Sequence, residues 1–224
     1  MKRLQESATG GEAALPAPWV LKLGGSLSAA QELPEWLRAC AAMAPRLVLV
    51  AGGGPYADAV RHAQARWRFG DAPAHAMALV AMEMFARQCC AMQYGLVPCA
   101  TLRDMRRVLR RGRTPVWMPL RLALRDDSLD ANWNTTSDSL AAWLALHLGA
   151  AGLVLVKSVA RPPGDWQQVA RAGAVDTAFA GHAQALPRVE WLQGGEHRQL
   201  LSLLLDAAQP AARPRPALEA GVDV

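Results

Sequence analysis

The sequence predicts an α/β fold with a mostly parallel central sheet. Short apolar runs alternate along the chain with segments of helical periodicity, which is the order of elements in such folds. The apolar runs are continuous rather than alternating, as expected for parallel strands that helices cover on both faces. Because ligands of these sheets bind beyond the carboxyl ends of the strands, we expect the functional residues there.

Strand and helix candidates follow one another between the two ends of the chain. The strands are expected at 19–23, 47–51, 96–100, 115–118, 153–157 and 188–192. The helices are expected at 34–43, 56–67, 74–93, 102–111, 137–148, 174–185 and 196–207. Both ends lack periodicity, so the sequence predicts disordered tails at 1–17 and 208–224 around a single domain at 18–207.

The composition excludes several classes of protein. Hydrophobic residues make up 52% of the 224 positions and the formal net charge is +5, so most of the chain is not disordered. The four cysteines include no C-x-x-C pair, which argues against a zinc ribbon, a redox motif or a disulfide scaffold. The first residues lack the apolar core of a signal peptide, and glycines interrupt the uncharged stretch at 139–156. A cytoplasmic protein with no membrane partner is predicted.

The first strand candidate contains a residue type that this chain uses sparingly. Only Lys2, Lys22 and Lys157 are lysines, and the other 21 basic residues are arginines. Lys22 lies in the first strand, and Lys157 ends the fifth. A compact ammonium group at a strand end neutralises phosphate oxygens as charge develops in a transition state. The alternative is a plain turn with a lysine that reaches the surface.

Glycine turns follow the first two strand candidates. The turns are Gly24-Gly25-Ser26 and Gly52-Gly53-Gly54. Glycines let the backbone approach an anion closely, and the helix that starts after the second turn adds partial positive charge. Two such turns at one sheet edge suggest two phosphate groups held close together, which is the layout of phosphoryl transfer.

Two other interpretations of the charged and glycine-rich segments are weaker. The second turn also fits the Rossmann fingerprint G-x-G-x-x-A, but its expected acidic partner, Asp71, does not follow a strand candidate. The run from Arg103 to Arg125 holds eight arginines, which is a nucleic-acid pattern. Its apolar residues have helical spacing, so the arginines are expected on a solvated helix face and no nucleic-acid partner is predicted.

A third segment with chemical potential opens the helix at 137–148. Thr136, Ser137 and Asp138 begin this helix, which leads to the strand that ends in Lys157 and Ser158. Capping by Thr136 or Ser137 and the helix dipole explain part of this pattern. They do not explain why a rare lysine ends the next strand.

In this order, KLGGS, AGGGP, TTSDSLAAWLA and LVLVKSV resemble the motifs of the amino acid kinase superfamily. The resemblance covers about residues 18–160 and implies a three-layer αβα sandwich. It implies that ATP, with Mg²⁺ bridging its phosphates, and a small phosphate acceptor lie over the carboxyl ends of the strands. It also implies a homo-oligomer, and we expect a homodimer.

The resemblance implies a role for each candidate site residue. Lys22, Asp138 and Lys157 resemble the catalytic residues, with Asp138 organising the two lysines. The nucleotide side is expected to use Gly24, Gly25, Ser26, Thr136, Ser137 and Ser158. The acceptor side is expected to use Gly52, Gly53, Gly54, Asp58, Arg61 and His75. Asp58 either meets an amine of the acceptor or pairs with a basic neighbour on its helix, and His75 either binds phosphate or is a structural histidine. No protein ligand for a metal is predicted.

Further details resemble one branch of the superfamily. GGGPYADAVR and AHAMALVAMEMFA are similar to segments of the kinases of methanofuran-type cofactor synthesis, whose acceptor is the phosphomonoester of an aminomethylfuran alcohol. A carboxylate or carbamate acceptor on the same scaffold is the first alternative. The segment after Lys157 departs from the superfamily pattern near the nucleotide, which motivates the second alternative, a nucleotide or oxyanion binder with little turnover.

Overall fold

A computed structural model of the chain describes residues 16–206. The predicted tails at 1–17 and 208–224 lie outside these residues, apart from positions 16 and 17. The strands are β1 (Trp19–Leu23), β2 (Leu47–Ala51), β3 (Leu96–Cys99), β4 (Thr114–Trp117), β5 (Gly152–Lys157) and β6 (Val189–Gln193). The α-helices are α1 (Leu33–Ala42), α2 (Gly54–Trp67), α3 (Asp71–Met92), α4 (Leu102–Arg110), α5 (Leu120–Ala123), α6 (Ser137–Leu148), α7 (Trp166–Arg171), α8 (Phe179–Ala183) and α9 (Gln199–Asp206).

The strands form one sheet in the order β3-β4-β2-β1-β5-β6. Every pairing between neighbouring strands is parallel. The predicted α/β fold, a three-layer αβα sandwich with a parallel central sheet, is therefore confirmed. β1 lies between β2 and β5, so the segments that follow these three strands meet at one edge of the sheet.

Two hydrophobic clusters pack the helices against the sheet, one on each of its faces. Successive residues of a strand point to opposite faces, so Val20 belongs to one cluster and Leu21 to the other. On the first face, α4, α6 and one side of α3 cover the sheet. On the second face, α1, α9 and the remaining core residues of α3 cover it. Burial of both faces explains why the strand sequences are apolar at nearly every position.

The register of the sheet places the two rare lysines on the same face. Lys22 is aligned with Leu155 of β5, and Lys157 follows Leu155 by two positions. Since side chains alternate along a strand, Lys22 and Lys157 project to the face that α6 covers. The register and the alternation of side chains together bring both ammonium groups to the helix that carries Asp138.

The predicted elements agree with the observed ones except near the end of the chain. Strand limits agree within one residue, and the helix limits agree within three, apart from one segment. The helix predicted at 174–185 is wrong over most of its length, since only Phe179–Ala183 is helical. Gly173 has a φ of +71° and lies in a turn just after α7. Residues 172–178 form a loop. Sequence patterns also missed two short helices, α5 and α7, the second of which a capping box of Asp165 and Gln168 stabilises.

The arginine-rich segment forms an amphipathic helix. Met105, Val108 and Leu109 of α4 are buried, whereas its arginines are exposed. This arrangement agrees with the solvated face expected from the spacing. Among residues 16–206, no helix combines the length and the apolar character that crossing a membrane requires.

Glycines allow the turns after β1 and β2 to touch. A Cβ atom on Gly52 would lie 2.5 Å from the backbone nitrogen of Gly25, and one on Gly25 would lie 2.5 Å from the nitrogen of Gly54. These distances are shorter than any tolerated carbon–nitrogen contact, and both involve backbone that side-chain rotation cannot move away. The sequence therefore uses glycine here to pack two backbone turns against each other.

Substitution of Gly52 by alanine is expected to destabilise the fold. The added methyl group forces the two turns apart, which costs about 1–3 kcal/mol by the precedent of overpacked cores. A matched control is Gly181→Ala in α8, where nothing lies within 4 Å of the new Cβ. That control is expected to be neutral or to stabilise by about 0.5–1 kcal/mol, because alanine favours helix. Urea unfolding of both variants measures the difference, and equal midpoints would contradict the packing argument.

Candidate active site

Two lysines and one aspartate form a buried charged cluster at the carboxyl edge of the sheet. Nζ of Lys157 donates a hydrogen bond to Oδ2 of Asp138 at 2.6 Å. Nζ of Lys22 forms an ion pair with Oδ1 of the same carboxylate at 2.9 Å. The side chains of Lys22 and Asp138 are only 4% and 6% exposed, so water screens this cluster poorly. The structure brings together the three residues predicted as catalytic.

Burial and mutual charge determine the protonation of this cluster. Burial alone would raise the pKa of the Asp138 carboxyl, but Lys22 and Lys157 outweigh it and hold that pKa below its ordinary value. Burial, with repulsion from Lys22, lowers the pKa of the Lys157 ammonium to about 8, against the attraction of Asp138. Two ammonium groups therefore face a single carboxylate at neutral pH, an excess of positive charge that suits an anion.

A cavity of about 280 Å³ lies at the same edge of the sheet. The predicted site residues that line it are Gly25, Ser26, Gly53, Gly54, Asp58, Arg61, His75, Thr136 and Ser137. Ser137 directly precedes Asp138 in α6, so the cavity and the charged cluster meet at the start of this helix. Ala78, Leu79 and Met82 of α3 add an apolar wall.

The glycine turns contribute to the cavity in unequal ways. The amide of Gly24 donates to the carbonyl of Val156 at 2.9 Å, and that of Gly52 donates to the carbonyl of Leu23 at 2.9 Å. These two N–H groups are engaged within the sheet, so the contribution of Gly24 and Gly52 is steric. Gly54 opens α2, and Pro55 next to it has no N–H, so the first-turn amides without a partner within the helix are those of Gly54 and Tyr56, which face an anion favourably.

A set of contacts holds Arg61 at the cavity. Its guanidinium pairs with Asp58 at 3.1 Å and stacks over the ring of Trp133 with a centroid distance of 4.2 Å. Trp133 in turn donates to Oε1 of Gln64 at 2.6 Å. Of the two roles considered for Asp58, the structure contains the pairing with Arg61. The loop that carries Trp133 is thereby attached to α2.

His75 lies buried at the cavity wall. Burial lowers the pKa of its imidazole, and a hydrogen bond to the backbone of Asn132 opposes this only in part. The lowered pKa favours the neutral imidazole, which carries a single N–H. A phosphate dianion next to the ring would favour the doubly protonated form.

The nucleotide-side candidates continue from the charged cluster toward β6. The hydroxyl groups of Ser26 and Ser158 are joined by a hydrogen bond of 3.1 Å, which links the turn after β1 to the end of β5. The ammonium of Lys157 lies 5.7 Å from the ring centroid of Trp191 on β6. The indole of Trp191 donates to the carbonyl of Val159 at 3.0 Å, within the segment that departs from the superfamily pattern.

Sequence reasoning missed several residues of the site. Trp133 and Thr135 line the cavity, although neither is among the predicted site residues. Asp176, which contacts the start of α6, lies in the segment wrongly predicted as helix. No local signal identifies these residues, because long-range packing brings them to the site. Within residues 16–206, no group of three or more histidine, cysteine or acidic side chains is placed to hold a metal ion.

Comparison with known proteins gives relatives of one kind. The sequence model of the amino acid kinase family matches residues 17–161. The (5-(aminomethyl)furan-3-yl)methyl phosphate kinase of Methanocaldococcus jannaschii is 25% identical over 144 residues, which are 62% of this chain and 65% of that relative. The matched part thus spans slightly less than two thirds of the relative's length.

Solved structures of three kinases share the fold. The uridylate kinase from Archaeoglobus fulgidus superposes with a TM-score of 0.62 at 15% identity, over 84% of this chain and 95% of that one. The UMP kinase from Ureaplasma parvum gives 0.62 at 10% identity, over 86% and 96%. An isopentenyl phosphate kinase gives 0.53 at 16% identity, over 84% and 96%. With the family's sequence pattern over more than half of its length, the chain belongs to the amino acid kinase family.

Proposed function

We propose that the protein is an ATP-dependent kinase that transfers the γ-phosphoryl group to a small phosphomonoester. The observation that carries this proposal is the convergence of Lys22 and Lys157 on Asp138. This cluster lies at the edge of a cavity whose lining includes a further positively charged side chain, Arg61. Membership of the amino acid kinase family supports ATP as the donor. The names of the relatives, all kinases of phosphorylated small molecules, support the class of acceptor.

The proposed reaction is an in-line displacement at the γ-phosphorus. A phosphate oxygen of the acceptor forms a bond to this phosphorus, and the bond from phosphorus to the β,γ-bridging oxygen breaks. The products are ADP and a diphosphate of the acceptor. Mg²⁺ bound to the ATP phosphates would neutralise part of their charge.

In such a transfer the protein contributes mainly charge neutralisation and positioning of the reacting groups. We assign Lys22, which is buried beside the glycine turn, to the equatorial oxygens of the transferring group. We assign Lys157, nearer the predicted nucleotide side, to the leaving oxygen. Asp138 keeps the two ammonium groups together and aligned. The attraction of each ammonium group for phosphate charge is stronger in this shielded site than in water.

A phosphomonoester acceptor explains why the cavity needs cations more than a general base. The second pKa of a phosphate monoester is about 6, so the attacking oxygen is already ionised at neutral pH. Binding such a dianion requires donors and positive charge, which Arg61 and the first-turn amides of α2 supply at the cavity.

The finer proposal is that the acceptor is an aminomethylfuran phosphate. Such a molecule has an amine, a flat apolar ring and a phosphate, and the cavity offers a partner for each. Asp58 provides a carboxylate for the amine, Leu79 and Met82 provide an apolar wall for the ring, and the α2 amides with Arg61 face the phosphate. The name of the relative from Methanocaldococcus jannaschii supports this choice.

Replacement of Lys22 by methionine is expected to reduce phosphoryl transfer by about 100-fold or more, the usual cost of one transition-state charge contact. Methionine keeps the buried stem of the side chain and removes only the ammonium. The measurement is ADP release with ATP and Mg²⁺, first with aminomethylfuran phosphate and then with other phosphomonoesters, carboxylates and carbamates.

The matched control for this variant is Arg38→Met, which removes one positive charge from the exposed surface of α1. It should leave the rate unchanged. An unchanged rate in Lys22→Met would overturn the assigned mechanism. Turnover with carboxylates alone would favour the first alternative acceptor, and nucleotide binding without turnover would favour a binding protein.

A further prediction concerns the pH dependence of the reaction. Because the pKa of Lys157 is about 8, this side chain is charged below that pH and neutral above it. We expect kcat/KM for ATP to fall as the pH rises through about 8, since this quantity reports the protonation of the free enzyme. In Lys157→Arg the positive charge persists, so the alkaline loss should move to higher pH. A profile that stays flat across this region in the unmodified protein contradicts the role of Lys157.

Another prediction separates acceptor binding from nucleotide binding. Arg61→Gln removes the guanidinium at the cavity, and the loss of a charged phosphate contact of about 1.5–3 kcal/mol should raise KM for the acceptor by about 10-fold or more. KM for ATP should change little. Arg66→Gln is the matched control on the same helix, where Arg66 lies over Trp67 and does not line the cavity. Equal effects of the two variants would contradict the assignment of Arg61 to acceptor binding.

The remaining expectations concern the state of the protein in solution. We propose a homodimer in the cytoplasm, as the resemblance to the family implies. Light scattering coupled to size-exclusion chromatography measures the mass directly, and a monomer at micromolar concentration would contradict the dimer.

A further inference from the structure

The loop at 172–178 contacts both the helix that carries Asp138 and the lysine that binds it. The carbonyl of Ala174 accepts a hydrogen bond from Nζ of Lys157 at 2.8 Å. Oδ2 of Asp176 accepts hydrogen bonds from the backbone amides of Thr136 at 2.9 Å and Ser139 at 3.0 Å. One short loop therefore holds the two partners of a buried ion pair.

Asp176 acts as the cap of a helix that is remote from it in sequence. Thr136 occupies the N-cap position of α6 but makes no capping hydrogen bond through its own side chain. Its hydroxyl instead donates to Oδ2 of Asp176 at 2.7 Å, and the hydroxyl of Ser139 donates to Oδ1. The carboxylate thus receives four hydrogen bonds and takes the place of a local cap.

The capped turn is the one that presents Asp138. Asp138 lies between Thr136 and Ser139 in the chain, so the carboxylate of Asp176 fixes the backbone on both sides of it. A threonine at the N-cap position can satisfy the helix by itself, which makes a cap from a distant loop unnecessary for helix formation alone. A carboxylate in this position adds what a local hydroxyl cannot, a fixed link to the loop that holds Lys157.

We propose that Asp176 is a positioning residue for phosphoryl transfer, which keeps Asp138 and Lys157 in the geometry that the reaction needs. The inference rests on the proposed kinase function. Asp176 does not line the cavity, so its effect is exerted through the first turn of α6 and through the loop, not by contact with the acceptor. Displacement of a catalytic group by about 1 Å can cost about 100-fold in rate, which makes such a link consequential.

The charge of Asp176 also acts on Lys157. The charged groups that face Lys157 are Lys22 from β1, Asp138 from α6 and Asp176 from the loop, while β6 contributes the uncharged ring of Trp191. Burial and Lys22 lower the pKa of Lys157, and Asp138 and Asp176 oppose them. Removal of the negative charge of Asp176 should therefore lower the pKa of Lys157 further.

The test is Asp176→Asn, which keeps the shape of the side chain but loses the charge and half of its accepting capacity. We expect kcat to fall about 10-fold or more while KM for the acceptor stays unchanged. The alkaline loss of kcat/KM should move to lower pH. Asp176→Glu, which restores the charge, should return the alkaline loss toward its original position.

A second measurement does not depend on turnover. The chain contains three lysines, so NMR of protein labelled at lysine Cε gives a titration with few signals, and the Lys157→Arg variant assigns the one of interest. We expect the Lys157 signal to titrate at lower pH in Asp176→Asn. Thermal unfolding of each variant shows that the measurements are made on folded protein.

The matched control is Asp165→Asn. Asp165 also caps a helix, since it accepts from the amide of Gln168 at 2.8 Å, and its replacement removes the same charge. It should change neither kcat nor the titration of Lys157. The inference is overturned if Asp176→Asn leaves both quantities as they were, or lowers activity only in proportion to the unfolded fraction while the titration stays in place. Absence of turnover in the unmodified protein would instead contradict the proposed function, and the NMR titration would still decide the link between Asp176 and Lys157.

Discussion

The ion pairs of one buried aspartate with two lysines are the constraint on which the rest of the site depends. A carboxylate and two ammonium groups removed from water are costly unless each faces an opposite charge at short range. Asp138 meets this condition for both lysines, at 2.9 and 2.6 Å. The remaining excess of positive charge favours an incoming anion, which compensates for part of the cost of burial. Binding of a polyphosphate and stability of the site are therefore coupled.

The parallel sheet makes this arrangement possible. β1 and β5 are neighbours in the described sheet, and their register places Lys22 and Lys157 on one face. The turn after β2 reaches the same place because glycine at positions 25 and 52 lets two backbone turns come into contact. Burial of the strands fixes the register, since a shift by one residue would move both ammonium groups away from α6. The fold thus determines the charge pattern before any ligand is present.

The sequence was sufficient for those parts of the site that depend on chain order. Continuous apolar runs predict the parallel strands, and their ends locate Lys22, Lys157 and the glycine turns. Trp133 and Asp176 could not be predicted in this way, because each acts through partners more than 35 positions away. The same limit explains the wrong helix at 174–185, whose composition is helical but whose start is held by contacts with α6 and Lys157. Propensity is overridden where tertiary contacts satisfy the backbone instead.

The charged cluster and the side chains proposed to bind the acceptor come from different elements, which has a consequence for specificity. The cluster draws on β1, β5 and the start of α6, whereas Asp58, Arg61, His75 and the apolar wall lie on α2 and α3. Changes on these two helices alter which molecule fits without disturbing the lysines. Discrimination between the proposed acceptors then depends on whether Asp58 and Arg61, whose side chains are exposed in the free protein, find partners in the bound molecule. A phosphate acceptor with an amine satisfies both groups, and one without an amine leaves Asp58 to pair with Arg61, which weakens the charge available to the phosphate.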